Sequence, residues 1–208
     1  VVMSANSMLA REVNTDHAKM LVDLSTEAAA EMESLLNGLL DISSIENANI
    51  SINFERVNLT TLLNKVIQDM RLIASNKSQQ LELDVSVQEV WINADSLRIK
   101  EVVQNLVSNA IKYSPKNKPI HICLSSNQSK ARIEVIDEAG GVPLEEQPLL
   151  FQAFSKISTQ PTAGEQSTGL GLSICKKIVN LHHGEINYRS NLQLGSIFEV
   201  VLPLHESI

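Results

Sequence analysis

The chain has 208 residues, of which 43% are hydrophobic, 20% charged and only 3% aromatic, with a formal net charge of −7. This is the composition of an ordinary globular protein whose core is built from Leu, Ile, Val and Ala. The acidic balance and the lack of any Lys/Arg run exclude the basic stripe that nucleic acid or an anionic membrane asks for, and no apolar run approaches the roughly 20 residues needed to span a bilayer.

In chain order, the start Val1-Val-Met-Ser-Ala-Asn6 has no basic n-region and is no signal peptide. Val1 to Arg11 is apolar enough to end a helix that begins upstream. From Asp16 to Ile45, Leu21, Leu24, Ala28, Met32, Leu35, Leu39 and Ile42 recur at spacings of three and four, with Ala29, Leu36 and Leu40 widening the stripe. Asn14 and Thr15 are cap candidates. A hairpin of two such helices has too little core alone, and either pairs into a four-helix bundle or packs on its own globular domain.

The texture changes near Ile50. Ile50 to Val57 alternates as a short strand, and Asn58 can cap a helix running through about Ser78. Leu81 to Val85 and Val90 to Asn93 read as strands, and Asp95 caps the next helix, to Tyr113. Ile120 to Leu124 and Ala131 to Ile136 alternate as strands. A weakly periodic, glycine-rich stretch from Asp137 to Thr168 follows, interrupted by a helix expected at Leu144 to Phe154. A helix from Leu170 to Leu181 and a hairpin of Glu185 to Arg189 with Ser196 to Leu202 close the chain. Helices mixed with largely antiparallel strands give an α+β class, a two-layer α/β sandwich with helices on one face of a mixed sheet. Cys123 and Cys175 lack metal-ligand spacing and read as small buried hydrophobes of a reducing compartment.

Three stretches carry chemistry. On the Asp95–Tyr113 helix, Ile99, Val102, Val103, Leu106, Ala110 and Ile111 form the buried stripe, while Arg98, Glu101, Asn105, Asn109 and Lys112 share the opposite face. Such a stripe is either a solvated face or a ligand set. Two mid-helix asparagines cost up to ~0.7 kcal/mol each against Ala, and an amide oxygen can ligate a hard cation while Lys112 meets a phosphate. Asp137-Glu-Ala-Gly-Gly-Val142 follows a strand and is either a surface turn or a carboxylate facing an exocyclic amine, with glycines admitting a flat ring. Gly164 to Ser173 leads into a helix and exposes backbone N–H groups at Gly169 and Gly171, a phosphate cradle without the Gly-Lys-Ser/Thr of a P-loop.

In this order the three stretches resemble the catalytic core of sensor histidine kinases, of the Bergerat-fold ATPase superfamily. Asn105-Leu-Val-Ser-Asn-Ala-Ile-Lys-Tyr113 is similar to the family's N box, Asp137 to Gly141 to its first glycine box, Phe151-Gln-Ala-Phe154 to its phenylalanine box, and Thr168-Gly-Leu-Gly-Leu172 to its second glycine box. Leu181-His-His-Gly-Glu-Ile186 and Gly195-Ser-Ile-Phe198 fit the closing strands, and Leu39 to Glu46 the end of the second dimerisation helix. The resemblance implies a helical hairpin over 1–48 and an ATP-binding catalytic domain over 49–208.

It implies further that Asn109, with Asn105 beside it, ligates Mg²⁺ on the phosphates, that Lys112 and Lys156 neutralise phosphate charge, and that Tyr113 packs near the nucleotide. Asp137 would read the adenine amine beside Gly141, and Thr168, Gly169, Leu170, Gly171 and Leu172 would cover the phosphates as part of a lid. Gyrase- and MutL-like members carry a water-activating Glu where this chain has Asn105, so slow hydrolysis is implied. Expected partners are a second copy, paired through the hairpin, and a response-regulator receiver domain, with no nucleic acid and no membrane contact in this segment. The expected location is the cytoplasm, or the cytoplasmic portion of a membrane-anchored sensor.

Two positions depart from the pattern: Ala139 stands for the middle glycine of the first glycine box, and Ser167 where glycine is common. None of the five histidines fits the phosphoacceptor. His17 is followed by Ala18, His121 lies in a strand, His182 and His183 fall in the closing segment, and His205 is in the tail, which implies an acceptor upstream of Val1. Ala139 motivates one alternative, a degenerate kinase-like dimeric scaffold with weak or no ATP use.

Overall fold

A computed structural model describes residues 52–86, 89–155, 157–163, 165, 169–191 and 195–204, together with Leu21, Val22, Ser25, Ala28 and Ala29. Backbone contacts divide the chain into two units, Val1–Asn49 and Ile50–Ile208. In the first, the five described residues are helical; the rest of the expected hairpin lies outside the described residues. Among the described residues, no helix is long and apolar enough to cross a membrane.

Among the described residues, the second unit has seven strands and three α-helices. Strand β1 (Glu55–Asn58) leads into α1 (Leu59–Ser75), and the Asn58 carboxamide accepts a hydrogen bond from Thr61 N at 3.0 Å, as an N-cap should. Leu59, Leu62, Leu63, Val66, Ile67, Met70 and Ala74 form its buried stripe. β2 (Leu81–Val85) and β3 (Trp91–Ala94) precede α2 (Ser96–Tyr113), whose N-cap Asp95 accepts from Leu97 N and Arg98 N, both at 3.1 Å. Ser114 ends α2 with an extended ψ of 142°, the conformation that Pro115 imposes on its predecessor.

β4 (Ile120–Ser126) and β5 (Lys130–Asp137) form a hairpin closed by the Asn127 side chain, which accepts from Ser129 N and Lys130 N. α3 (Gly171–Leu181) then leads to β6 (Glu185–Asn191) and β7 (Gly195–Pro203). Five strands make one sheet in the order β2-β4-β5-β7-β6, with β2 parallel to β4 and every other pair antiparallel; β1 and β3 pair separately. The expected two-layer α/β sandwich with a mixed sheet is therefore found.

Register explains the layering. Ile122 faces Val135, Leu124 faces Ile133, and Ile133 and Val135 face Val200 and Phe198, all on the side where the helices pack. The alternate residues Arg132, Glu134, Arg189 and Glu199 lie on the other side, joined in ion pairs of Arg132 and Arg189 with Glu199 and of Arg189 with Glu134. Every residue named for the buried stripe of α2 is buried, together with Val107. Each large aliphatic side chain in that layer contributes roughly 1.5–3 kcal/mol by leaving water.

Three expectations need correction. The helix expected at Leu144 to Phe154 is only a 3-10 turn, Gln147–Leu149. Pro148 supplies no N–H to a helix there, and Phe154 sits at φ 59° and is exposed. Of the strand expected from Ile50, the described residues form only Glu55–Asn58, with residues 52–54 irregular. Of the two cysteines only Cys175 is buried; Cys123 is half-buried, on the open side of β4.

His182 is buried and acts as a clamp between elements. Its Nε2 accepts from Asp95 N at 3.0 Å, its Nδ1 lies 2.8 Å from Ile178 O, and Phe54 packs edge-on against the ring. These bonds select the neutral tautomer protonated at Nδ1, and they tie the end of α3 to the cap of α2. His182→Ala leaves the Asp95 amide without its acceptor and removes the ring packed against Phe54, so a loss of about 1–3 kcal/mol is expected in urea unfolding. An unchanged midpoint would remove the clamp from this account.

Candidate functional site

Four side chains of α2 face one side of the helix layer, and Asn105, Asn109, Lys112 and Tyr113 are all half-buried. Asn105 is held by the start of α3. A Cβ added at Gly171 would come within 2.5 Å of Asn105 Oδ1 and 2.6 Å of its Nδ2, so any side chain there would displace the Asn105 carboxamide. The second glycine stretch thus rests directly on the first asparagine. Gly169, at φ 69°, accepts from Phe154 N at 3.0 Å through its carbonyl, and a Cβ there would meet Ser155 O at 2.9 Å. Leu170 is buried beneath this turn, Leu172 is half-buried, and the Ser173 hydroxyl donates to Leu170 O at 2.7 Å.

Asp137 ends β5, almost wholly buried at 3% exposure. Its Oδ1 accepts from Ala139 N at 2.7 Å and Ser196 N at 3.3 Å. Both described bonds fall on one oxygen, so Oδ2 remains the acceptor through which a further donor can be read. Burial pushes this carboxyl up to about 6, against the lowering effect of the two N–H groups. Ala139 is buried, and its φ is not among the positive values found at Gly141 (76°) and Gly195 (107°). A side chain at position 139 is therefore accommodated without backbone strain.

The turn after Asp137 is pinned from β6. Val142 N donates to Tyr188 Oη at 2.9 Å and to Ser190 Oγ at 3.3 Å, Tyr188 Oη lies 3.1 Å from Ser196 Oγ, and the Tyr188 ring packs on Phe198. The Thr159 hydroxyl donates to Gly141 O at 3.2 Å.

Of the residues expected at the site, Asn105, Asn109, Lys112 and Tyr113 share one helix face, Asn105 meets Gly171, and the Lys112 carbonyl receives Thr162 N at 3.0 Å. No described interaction joins Asp137 to either asparagine. Lys156 and Thr168, like Ser167, Gly164, His17 and His205, lie outside the described residues. Sequence reasoning missed Tyr188, Ser190 and Ser196, which hold the Asp137 turn, and Lys77, which no motif marks. Among the described residues no group of three or more His, Cys, Asp or Glu side chains converges on a metal position.

The chain belongs to the family of histidine kinase-, DNA gyrase B-, and HSP90-like ATPases, which matches over residues 94–206. Within that family its relatives are sensor histidine kinases. It is 29% identical over 191 residues to the sensor protein SrrB of Staphylococcus aureus, a match covering 92% of this chain and 33% of the relative. The chain spans about a third of the length of the curated relatives it matches. Among solved structures, the catalytic domain of the histidine kinase ThkA is 30% identical, with TM-score 0.65 over 73% of this chain and 95% of that one. ThkA in complex with the response regulator protein TrrA has TM-score 0.70 at 22% identity, over 97% of this chain and 56% of that one. Full-length ShkA in complex with AMPPNP has TM-score 0.80 at 24% identity, over 98% of this chain and 42% of that one.

Proposed function

We propose that this chain is the core of a sensor histidine kinase, with a dimerisation hairpin over 1–48 and a catalytic domain over 49–208. In this reading it binds Mg-ATP and delivers the γ-phosphoryl group to a histidine on the dimerisation helix, for relay to an aspartate of a response regulator. The carrying observation is Asp137: a buried carboxylate with one oxygen saturated by backbone amides and the other available, beside a turn that opens at Gly141. That is an acceptor shaped for one exocyclic amine on a flat ring.

The donors present suit the rest of the nucleotide. Magnesium usually takes one or two protein oxygens and completes its shell with water and phosphate, so Asn109, with Asn105 beside it, is a sufficient protein contribution. Lys112, and Lys156 beyond it, would oppose phosphate charge, Tyr113 would pack near the nucleotide, and Thr168 to Leu172 would lie over the phosphates, with the amides at Gly169 and Gly171 facing them. Phosphoryl transfer depends mainly on positioning and charge stabilisation. Asn105 has no basicity with which to activate water, and its contact with Gly171 gives it a positioning task instead. Ala139, the reason to consider a scaffold without ATP use, donates its N–H to Asp137, as the site requires. The cytoplasm, a second copy paired through the hairpin and a receiver domain complete the reading; the assembly of ThkA with TrrA supports the last.

A protein joining this core to an acceptor helix is expected to incorporate acid-labile label from γ-labelled ATP; absence of label in a folded, ATP-binding sample would overturn the kinase reading. A second expectation concerns pH. The Asp137 carboxyl is raised from 3.8 to about 6 in the folded chain. A raised carboxyl favours the folded state below its unfolded value, and that contribution is lost as pH rises through about 6. The acceptor for adenine is the ionised form. Adenosine affinity should therefore rise with pH up to a plateau above about 6 and fall by up to about tenfold per unit below it. A flat profile between pH 5 and 8, measured on the folded chain as roughly the span in which such a carboxyl titrates, would contradict the assignment.

A further inference from the structure

Lys77 lies just after α1 and belongs to none of the boxes, yet its side chain is 8% exposed. A buried ammonium is costly unless its donors are satisfied, and here they are. Nζ lies 2.6 Å from Ile111 O, 3.0 Å from Lys112 O, 2.6 Å from Thr162 Oγ1 and 3.1 Å from Glu165 Oε1. The first two acceptors are carbonyls of the last turn of α2, where the helix dipole favours a cation. The other two belong to the loop that approaches the second glycine stretch.

The same loop is joined to the same helix end a second time. Thr162 N donates to Lys112 O at 3.0 Å, and the Thr162 hydroxyl lies 3.0 Å from both Lys112 O and Ser114 O. Beneath them the Gln79 amide donates to Ile111 O, Ser114 O and Pro115 O. Burial alone would raise the Glu165 carboxyl, but the N–H groups of Glu165 and Ala163 and the Lys77 ammonium hold it below its ordinary value. The ion pair is therefore formed at neutral pH.

We propose that Lys77 is a positioning residue of the nucleotide site: its ammonium fixes the loop bearing Thr162 and Glu165 against the end of α2, setting the placement of Lys112 and Tyr113. The inference rests on the nucleotide-binding reading above. It specifies which end of the nucleotide responds. Asp137 stands on β5, and none of the hydrogen bonds described for its carboxylate shares a partner with Lys77. Losing the staple should weaken the phosphate end and spare the adenine end.

The test compares adenosine with Mg-ATP on the intact chain. Lys77→Met is expected to lower Mg-ATP affinity about tenfold, the scale of a lost charge-assisted hydrogen bond, while adenosine affinity stays within about twofold; Lys77→Arg should restore most of the loss. If Lys77→Met does not fold, Thr162→Val and Glu165→Ala cut the staple from the loop side, and each should reproduce the split at about two- to fivefold. Equal losses for the two ligands, or none, would overturn the proposal. Amide exchange at Thr162 reads the staple without ligand, and each loop-side or Lys77→Met variant should lose protection there. Unbound nucleotide in the wild type with a protected Thr162 would strike the nucleotide reading alone, whereas unchanged protection in the variants would strike the staple.

Discussion

Gly195→Ala is expected to be the most damaging single methyl addition in the domain, removing about 3 kcal/mol or more of stability and the Asp137 turn with it. Gly195 opens β7 at φ 107°, a conformation closed to side chains. A Cβ there would stand 1.7 Å from the Asp137 carbonyl oxygen and 2.7 Å from Glu138 Cα, both backbone atoms that no rotamer change can move. The strands must separate at the point where Ser196 N reaches the Asp137 carboxylate. Urea unfolding should show a large fall in midpoint, and adenosine affinity should fall with it. A variant with wild-type midpoint and affinity would show that this close approach is not needed.

Asp137→Asn should leave the fold standing and abolish base recognition. The carboxamide oxygen can take the place of Oδ1 and keep the bonds from Ala139 N and Ser196 N. Its NH₂ group then occupies the position of Oδ2, so a donor faces the donor of adenine. Leaving polar groups mismatched in a buried site costs about 3 kcal/mol, near 100-fold in affinity. The pH dependence should vanish too, since an amide does not titrate. The converse is expected of a 6-oxo purine such as inosine, whose acceptor suits the new NH₂. Calorimetric titration of adenosine and inosine on both chains reads the switch, and unchanged adenosine affinity in the variant would refute the role given to Asp137.

Much of the fold was legible because the domain is locally consistent. Asn58 and Asp95 cap the helices they precede, and the stripe from Ile99 to Ile111 is buried as its period requires. The alternation of β4 and β5 gave their facing, although the parallel pairing of β2 with β4 depends on long-range register that no local pattern carries. The helix expected before Phe154 shrinks to a 3-10 turn because Pro148 supplies no N–H to it and Phe154 turns to φ 59°. For the site, spacing alone left the Asn105–Asn109 face ambiguous, and the order of the boxes gave it meaning. The supporting residues were hidden for a physical reason. Tyr188, Ser196 and Lys77 reach the site by hydrogen bonds across 46, 59 and 85 positions of sequence, and a lone tyrosine, serine or lysine carries no periodic signal.

The central claim is that a carboxylate at one end and an amide-bearing helix at the other hold one metal-bound nucleotide. Titrating the chain with ATP in the presence and absence of Mg²⁺, for the wild type and for Asn109→Ala, tests it most directly. Binding by the wild type is expected to be saturable and to weaken at least about tenfold without the metal, and the Asn109→Ala affinity to respond to it no longer. A folded wild-type chain that takes up no Mg-ATP at millimolar concentration, or an Asn109→Ala chain with full metal-dependent affinity, would contradict it.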